Sequence, residues 1–265
     1  MSNVILIPAR FQSTRYPGKP LVELRGANGE PKPLVQRSFE AASRIAGVDR
    51  VAVVTDDERI ARCCEGFGAQ AIMTSPQSRN GTERCAEALA QLDDPALVIN
   101  FQGDALLTPP GFVEALIARM ASDRDLLVAT PAVRLRSEEV RALQAEESAG
   151  RVGGTSVVTD AEGHALYFSK RLIPYLPAGA LDGDLSPVRL HIGVYAYRPE
   201  ALIRYVATPV SDLETLEGLE QLRFLVAGVP IAVVEVATPP FALRELNNPE
   251  DVAPIEQALI EAGLE

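Results

Sequence analysis

Through about residue 135 the 265-residue chain repeats one pattern, a short apolar or β-branched run of strand length followed by an amphipathic stretch of helical length. The runs fall at 3–8, 50–55, 70–74, 97–102 and 127–135, and the helical stretches near 33–46, 57–67, 81–92 and 110–121. Crossovers of that length join neighbouring strands in the same direction, so the pattern predicts an α/β fold with a mostly parallel central sheet. Start and stop signals agree. Asp56 or Asp57 stands before "ERIARCCEGFG", Gly66 or Gly68 can end that helix, and Thr108 precedes two prolines ahead of "GFVEALIARM".

The pattern changes after residue 136. "TSVVTDAEGHALYFSK" reads as two strands joined at Asp160 to Gly163, a hairpin instead of a crossover. "LHIGVYAYR" is a further strand, helices follow near 199–207 and 212–227, "IAVVEVA" is the last strand, and Asn247 or Asn248 caps a final helix with Pro249 in its first turn. The stretch "IPYLPAGALDGDLSP", rich in Gly, Pro and Asp, is expected to be a loop that moves or lines an opening.

A net charge of −11 repels phosphate backbones over the whole surface and argues against a nucleic-acid partner. The longest apolar runs are of strand length, far short of a membrane span, and "MSNVILIPAR" has no secretory pattern, so the cytoplasm is the expected location. Cys63, Cys64 and Cys85 are odd in number and lack zinc-site spacing, which predicts buried free thiols. His164 and His191 are the two histidines, too few for a polyhistidine metal site.

Against that acidic background, "VILIPARFQSTRYPGKPL" sets Arg10, Arg15 and Lys19 directly after a buried strand. The loop lacks the spacing of a P-loop and of a dinucleotide fingerprint. Its backbone N–H groups and the Ser13 and Thr14 hydroxyls can still donate to phosphate oxygens, the two arginines can bind them bidentately, and Lys19 can act as a point charge. A solvated basic loop is the bland alternative. Asp104 similarly follows the run "ALVINFQ", at the carboxyl edge where α/β sheets bind ligands, and a carboxylate there suits a hard cation.

These residues carry a resemblance. "IPARFQSTRYPGKPL" is similar to the signature loop of the 3-deoxy-manno-octulosonate (Kdo) cytidylyltransferases, and "TDDERI", "NGTERCAEA", "INFQGD", "DAEGHALYFSK", "HIGVYAY", "LEQLRFL" and "NPEDV" resemble further family segments in the same order. The resemblance implies a Rossmann-like nucleotidyltransferase fold, here one domain over 1–265 with a nucleotide-binding half to about 135 and an acceptor and dimerisation region beyond it. It implies transfer of CMP from CTP to the anomeric hydroxyl of Kdo, with Mg²⁺, release of pyrophosphate, and a homodimer serving lipopolysaccharide biosynthesis. Carried over residue by residue, Pro8, Ala9, Arg10, Ser13, Thr14, Arg15, Lys19, Thr82, Arg84 and Gln102 would hold the nucleotide, with Arg10, Lys19 and Asp104 as the catalytic group. Lys170, His191, Tyr197, Glu220 and Gln221 would shape the acceptor pocket, and Asp104 with Asn247 would meet the metal. On the bare residues, a helix cap at Thr82, a core histidine at 191 and a solvated face in "LEGLEQLR" remain open alternatives.

The sequence also departs from the family pattern. Ala105 replaces a glutamate after "QGD", Asn247 stands where the family has an aspartate, Lys170 replaces an arginine, and "TSVV" at 155–158 lacks the lysine of the family's V-K-V-V. Three readings stay open at this point: a Kdo cytidylyltransferase, a cytidylyltransferase for a related 2-keto-3-deoxy sugar acid, and a catalytically weak nucleotide-binding paralogue.

Overall fold

The first strand explains its own composition. In β1 (Asn3–Ala9) the side chains of Ile5, Leu6 and Ile7 are fully buried, Leu6 in the core on one side of the sheet and Ile5 and Ile7 in the core on the other. A strand covered on both faces needs no polar alternation. The structure is a computed structural model and describes residues 2–12, 15–241 and 244–265.

A small hairpin, β2 (Glu23–Arg25) and β3 (Pro31–Pro33), leads into α1 (Leu34–Ser43). Then β4 (Arg50–Thr55), α2 (Glu58–Gly66), β5 (Gln70–Met73), α3 (Gly81–Ala88), β6 (Leu97–Phe101), α4 (Pro110–Ser122) and β7 (Val128–Arg136) alternate as the periodicity predicts. The second half holds α5 (Ser137–Ser148), the hairpin β8 (Ser156–Thr159) and β9 (Ala165–Ser169), and the pair β10 (Leu185–His191) and β11 (Val194–Tyr197). It closes with α6 (Pro199–Ala207), α7 (Asp212–Glu217), α8 (Leu222–Val226), β12 (Ile231–Val236) and α9 (Val252–Glu261).

Strands β5, β4, β1 and β6 form the parallel core of the sheet. β11 inserts antiparallel between β6 and β7, β10 continues along the same edge of β7, and β12 lies parallel on its other edge. The β8–β9 hairpin extends from β10 and returns to β12 through a His164–Ala232 bridge. The sheet is therefore continuous across residue 135, parallel at its core and antiparallel where the second half enters.

Several local expectations need correction. "LHIGVYAYR" is two strands, broken at Ile192 and Gly193, so that β10 and β11 meet different neighbours. The stretch 212–227 is also two helices, because Gly218 turns left-handed (φ 60°) and ends α7. No helix was expected at α5, whose narrow apolar stripe buries only Val140 and Ser137; a Glu139 carboxylate accepting the Arg136 N–H opens it. Asp57 caps α2 and Asn248 caps the turn before α9, but Pro109, and not Thr108, precedes α4. The 173–187 stretch does not line the main cavity: Leu176 and Leu181 pack against the small core around Val133, Leu135 and Val140, and residues 185–187 open β10. Cys64 and Cys85 are buried and Cys63 half-buried, all free, and burial pushes the Cys64 thiol up to about 12, far from a reactive thiolate. Among the described residues no helix is long and apolar enough to cross a membrane.

Candidate active site

A cavity of about 980 Å³ opens at the carboxyl ends of β1 and β6, the edge at which parallel sheets present ligand sites. Arg10, Arg15, Lys19, Arg79, Arg84, Lys170 and Arg244 line it, against the carboxylates Asp104, Glu220 and Glu245. Seven cations facing three anions, in a chain of net charge −11, make this a local positive well built for an anionic ligand.

Two close backbone approaches build the phosphate side. Gly18 is left-handed (φ 73°) and its N–H donates to the Phe11 carbonyl at 2.9 Å, which turns the loop so that Lys19 starts a short 3₁₀ turn. Phe11 is held in turn by the Arg59 guanidinium, 3.3 Å from its ring centre. Gly103 passes so near β1 that a Cβ there would lie 2.6 Å from the Pro8 carbonyl oxygen, and its own carbonyl accepts from Ser38 Oγ at 2.8 Å. The two loops thereby bring Lys19 Nζ to 2.5 Å from Asp104 Oδ2. Arg15 Nη2 donates to Asn247 Oδ1 at 2.7 Å, so that amide oxygen is engaged by a cation. Ser13 and Thr14 lie outside the described residues.

Glu245 is the residue that sequence reasoning missed. Its carboxyl is pushed up to about 7, first by the charge of Asp104 and then by burial, with the Asn247 amide, Lys19 and Arg15 acting in the opposite direction. Asp104 and Glu245 thus place two carboxylates on one cavity, hard oxygens of the kind that suit Mg²⁺.

The opposite wall comes from α3, β10, β11 and the turn after Gly218. Asn80 caps α3 by accepting the Glu83 N–H at 2.8 Å, and Gly81 packs close over Asn100 and Gln102. Glu220 Oε2 accepts the Thr82 N–H at 3.1 Å and its Oε1 accepts from Gln102 Nε2 at 3.4 Å; burial raises its proton affinity. Gln221 lines the cavity but is only 3% exposed, and its Nε2 is a buried donor with no partner among the described residues. His191 is pushed down to about 3 by burial and stays neutral. The Thr130 hydroxyl donates to the Val194 carbonyl at 2.8 Å, which leaves its oxygen to accept from His191 Nε2 at 2.9 Å and fixes the ring's tautomer.

Of the expected residues, Pro8, Ala9, Arg10, Arg15, Lys19, Arg84, Gln102, Asp104, Lys170, His191, Glu220, Gln221 and Asn247 converge on this cavity. Thr82 and Tyr197 do not line it. They sit fully buried behind the wall, hydrogen-bonded to each other at 2.9 Å, and Tyr195 lines the cavity in place of Tyr197. Arg84 spends its guanidinium on Thr74 Oγ1 at 2.5 Å and Asp56 at 3.5 Å, which fixes the neighbouring loops. Of the four departures from the family pattern, Ala105, Lys170 and Asn247 line the cavity. The fourth, Ser156, is buried in β8 and ties it to the Arg171 carbonyl at 2.6 Å.

A parallel α/β core with a cationic loop and a paired lysine and aspartate at its carboxyl edge defines a nucleotide-handling enzyme class. The cytidylyltransferase family profile matches residues 4–231. A 3-deoxy-manno-octulosonate cytidylyltransferase from Maricaulis maris is 38% identical over 99% of both chains, and a mitochondrial one from Arabidopsis thaliana is 36% identical over 98% of this chain and 83% of its own. A solved CMP:2-keto-3-deoxy-manno-octonic acid synthetase, complexed with CTP, superposes with a TM-score of 0.84 at 35% identity, covering 99% of this chain and all of the other. The chain belongs to the 3-deoxy-manno-octulosonate cytidylyltransferase family.

Proposed function

We propose that this protein transfers CMP from CTP to the anomeric hydroxyl of 3-deoxy-manno-octulosonate and releases pyrophosphate. The observation that carries the reading is the Lys19–Asp104 pair, held by Gly18 and Gly103 on the wall of a cavity lined by seven cationic side chains. The hydroxyl gives up its proton to water as its oxygen bonds to the α-phosphorus, the bond from that phosphorus to the α,β-bridging oxygen breaks, and pyrophosphate leaves with the bonding electron pair. Catalysis of such a step is mostly positioning and charge neutralisation. Arg10, Arg15 and Lys19 supply positive charge to the triphosphate, while His191, Tyr195, Lys170, Glu220 and Gln221 orient the sugar acid. Lys170 serves the acceptor carboxylate as a point charge, without an arginine's fork. Asp104 and Glu245 would hold Mg²⁺, which when bound supplies a Lewis acid that neutralises phosphate oxygens. Asn247 then orients Arg15 and Glu245. The reading includes a homodimer in the cytoplasm and a product that feeds lipopolysaccharide, both supported by the family alone.

The test is pyrophosphate release from CTP and Mg²⁺ with Kdo, other 2-keto-3-deoxy sugar acids, or no acceptor. Turnover fastest with Kdo supports the reading. Turnover with a different acid alone would favour a changed acceptor, for which Lys170 and Ala105 at the cavity are the specific observations, and silence with all would sink both.

Gln221 gives a sharper check. A buried donor without a partner costs on the order of 1–3 kcal/mol, so Gln221→Met should leave thermal stability unchanged or raise it. The same change removes a donor to the acceptor and should raise its KM about tenfold, with the KM for CTP within twofold. Steady-state kinetics and a melting curve read both halves.

A further inference from the structure

Behind the acceptor wall lies an ionic cluster that is buried except at Arg79, whose exposed end reaches the cavity. Arg223, on α8, is 1% exposed and is the largest fully buried side chain. Its Nε and Nη2 donate to the two oxygens of Glu214 on α7, at 2.7 and 2.5 Å, and its Nη1 donates to Glu83 Oε1 on α3 at 3.1 Å. Arg79 closes the chain on Glu83, so two cations alternate with two carboxylates and the cluster is neutral. The Arg223 guanidinium also lies 4.0 Å from the ring centre of Tyr205 on α6. Four helices therefore meet at one planar group.

Each of these partners leads back to the turn that carries Glu220 and Gln221. The Tyr205 hydroxyl donates to the Glu220 carbonyl at 3.2 Å and accepts from Asn80 Nδ2 at 2.9 Å. Glu83 follows Thr82, whose N–H holds the Glu220 carboxylate. Glu214 sits in α7, just before the left-handed Gly218 that starts the turn. A buried ion pair is a poor device for stability, since apolar side chains of equal volume often do as well, but it imposes one geometry on the elements it joins. Only a forked, planar cation satisfies both carboxylates and the ring face at once.

We propose that Arg223 is a positioning residue for the acceptor: it clamps the 218–221 turn to the N-terminus of α3 and so sets where Glu220 and Gln221 stand, without touching substrate. The inference rests on the reading that this turn meets the sugar acid. The triphosphate side is anchored outside the clamp, by β1, β6 and the Gly18 and Gly103 approaches, so loosening the clamp acts first on the 218–221 turn.

The experiment compares the full-length wild type with Arg223→Lys and, as a milder change on the other partner, Glu214→Gln. Arg223→Lys keeps the charge and loses the fork. It should raise the KM for Kdo at least tenfold, leave CTP affinity by calorimetry within twofold, and speed amide exchange over 218–224 while leaving 97–105 unchanged. Glu214→Gln should move the same quantities in the same direction by a smaller factor, and decides the matter if the Arg223 variant does not fold. Unchanged KM and unchanged exchange would overturn the clamp, and so would an equal loss of CTP affinity and Kdo affinity, which marks general destabilisation. If the wild type transfers to no sugar acid, the functional reading fails, and the exchange pattern still decides whether Arg223 holds this turn.

Discussion

Lys19→Ala should lower kcat for pyrophosphate release by two to three orders of magnitude, with a melting temperature close to that of the wild type. The two halves of that expectation have different physical sources. Lys19 and Asp104 are both partly exposed, and ion pairs of that kind contribute about 0–1 kcal/mol to folding, so the fold tolerates the loss. In a reaction whose barrier is charge on phosphate oxygens, one prearranged donor is worth roughly 2.7–4 kcal/mol, or 10²–10³ in rate. Lys19 is prearranged because Gly18 takes a backbone conformation that other residues reach only with strain, and because Pro20 follows it in the 3₁₀ turn. Lys19→Arg should recover part of the rate, since the charge returns on a wider head that cannot repeat the 2.5 Å approach to Asp104. Single-turnover release of pyrophosphate is the measurement. A Lys19→Ala rate within tenfold of wild type would mean that this charge does not act on the reacting phosphates.

The strands β1, β4, β5, β6 and β7 and the four helices α1 to α4 between them were legible because each strand is buried on both faces or packed by an amphipathic helix, and that burial writes a period into the sequence. Two of the misses have a common cause: they are breaks of one or two residues inside otherwise regular stretches. Gly218 divides one helical pattern into two, and Ile192 and Gly193 divide one strand pattern, yet both breaks face the cavity. A Cβ at Gly193 would stand in ordinary van der Waals contact with Gln102 and Glu245, at 3.8 and 3.9 Å, so the break there is not one that space alone demands. Tyr195 and Tyr197 show a finer limit. They are two residues apart on one strand and stack on the same face, at 5.6 Å between ring centres. Nothing in their spacing says which lies nearer the open edge of the sheet; β11 enters from the cavity, so Tyr195 is at the wall and Tyr197 is one step deeper. Glu245 was hidden for the opposite reason. It lies outside the family motif, whose matching position is Asn247, and only the folded chain brings the carboxylate two positions earlier to the same cavity as Asp104.

That placement decides the second large effect. Asp104→Ala should reduce metal-dependent turnover about 10³-fold, and Glu245→Gln should raise the Mg²⁺ concentration for half-maximal rate by 10–100-fold. The first figure corresponds to about 4 kcal/mol of transition-state charge stabilisation, the scale of a bound Lewis acid. The second is the usual loss when one oxygen of a metal's surroundings is neutralised. Asn247→Asp should matter less than either, because the atom at that position already accepts from Arg15 at 2.7 Å, and a carboxylate there would pair with the arginine before it met a cation. Mn²⁺ binding, followed by electron paramagnetic resonance with CTP present and no acceptor, separates metal affinity from rate. Were Glu245→Gln to leave that affinity within twofold while Asn247→Asp tightened it, the second carboxylate of this site would belong at 247, and the donor set assigned to Asp104 and Glu245 would be wrong. The expected order of effects, Asp104 first, Glu245 second and Asn247 last, follows from charge: the first two bring carboxylates to the cavity, whereas the side chain at 247 is a neutral amide that already accepts from Arg15.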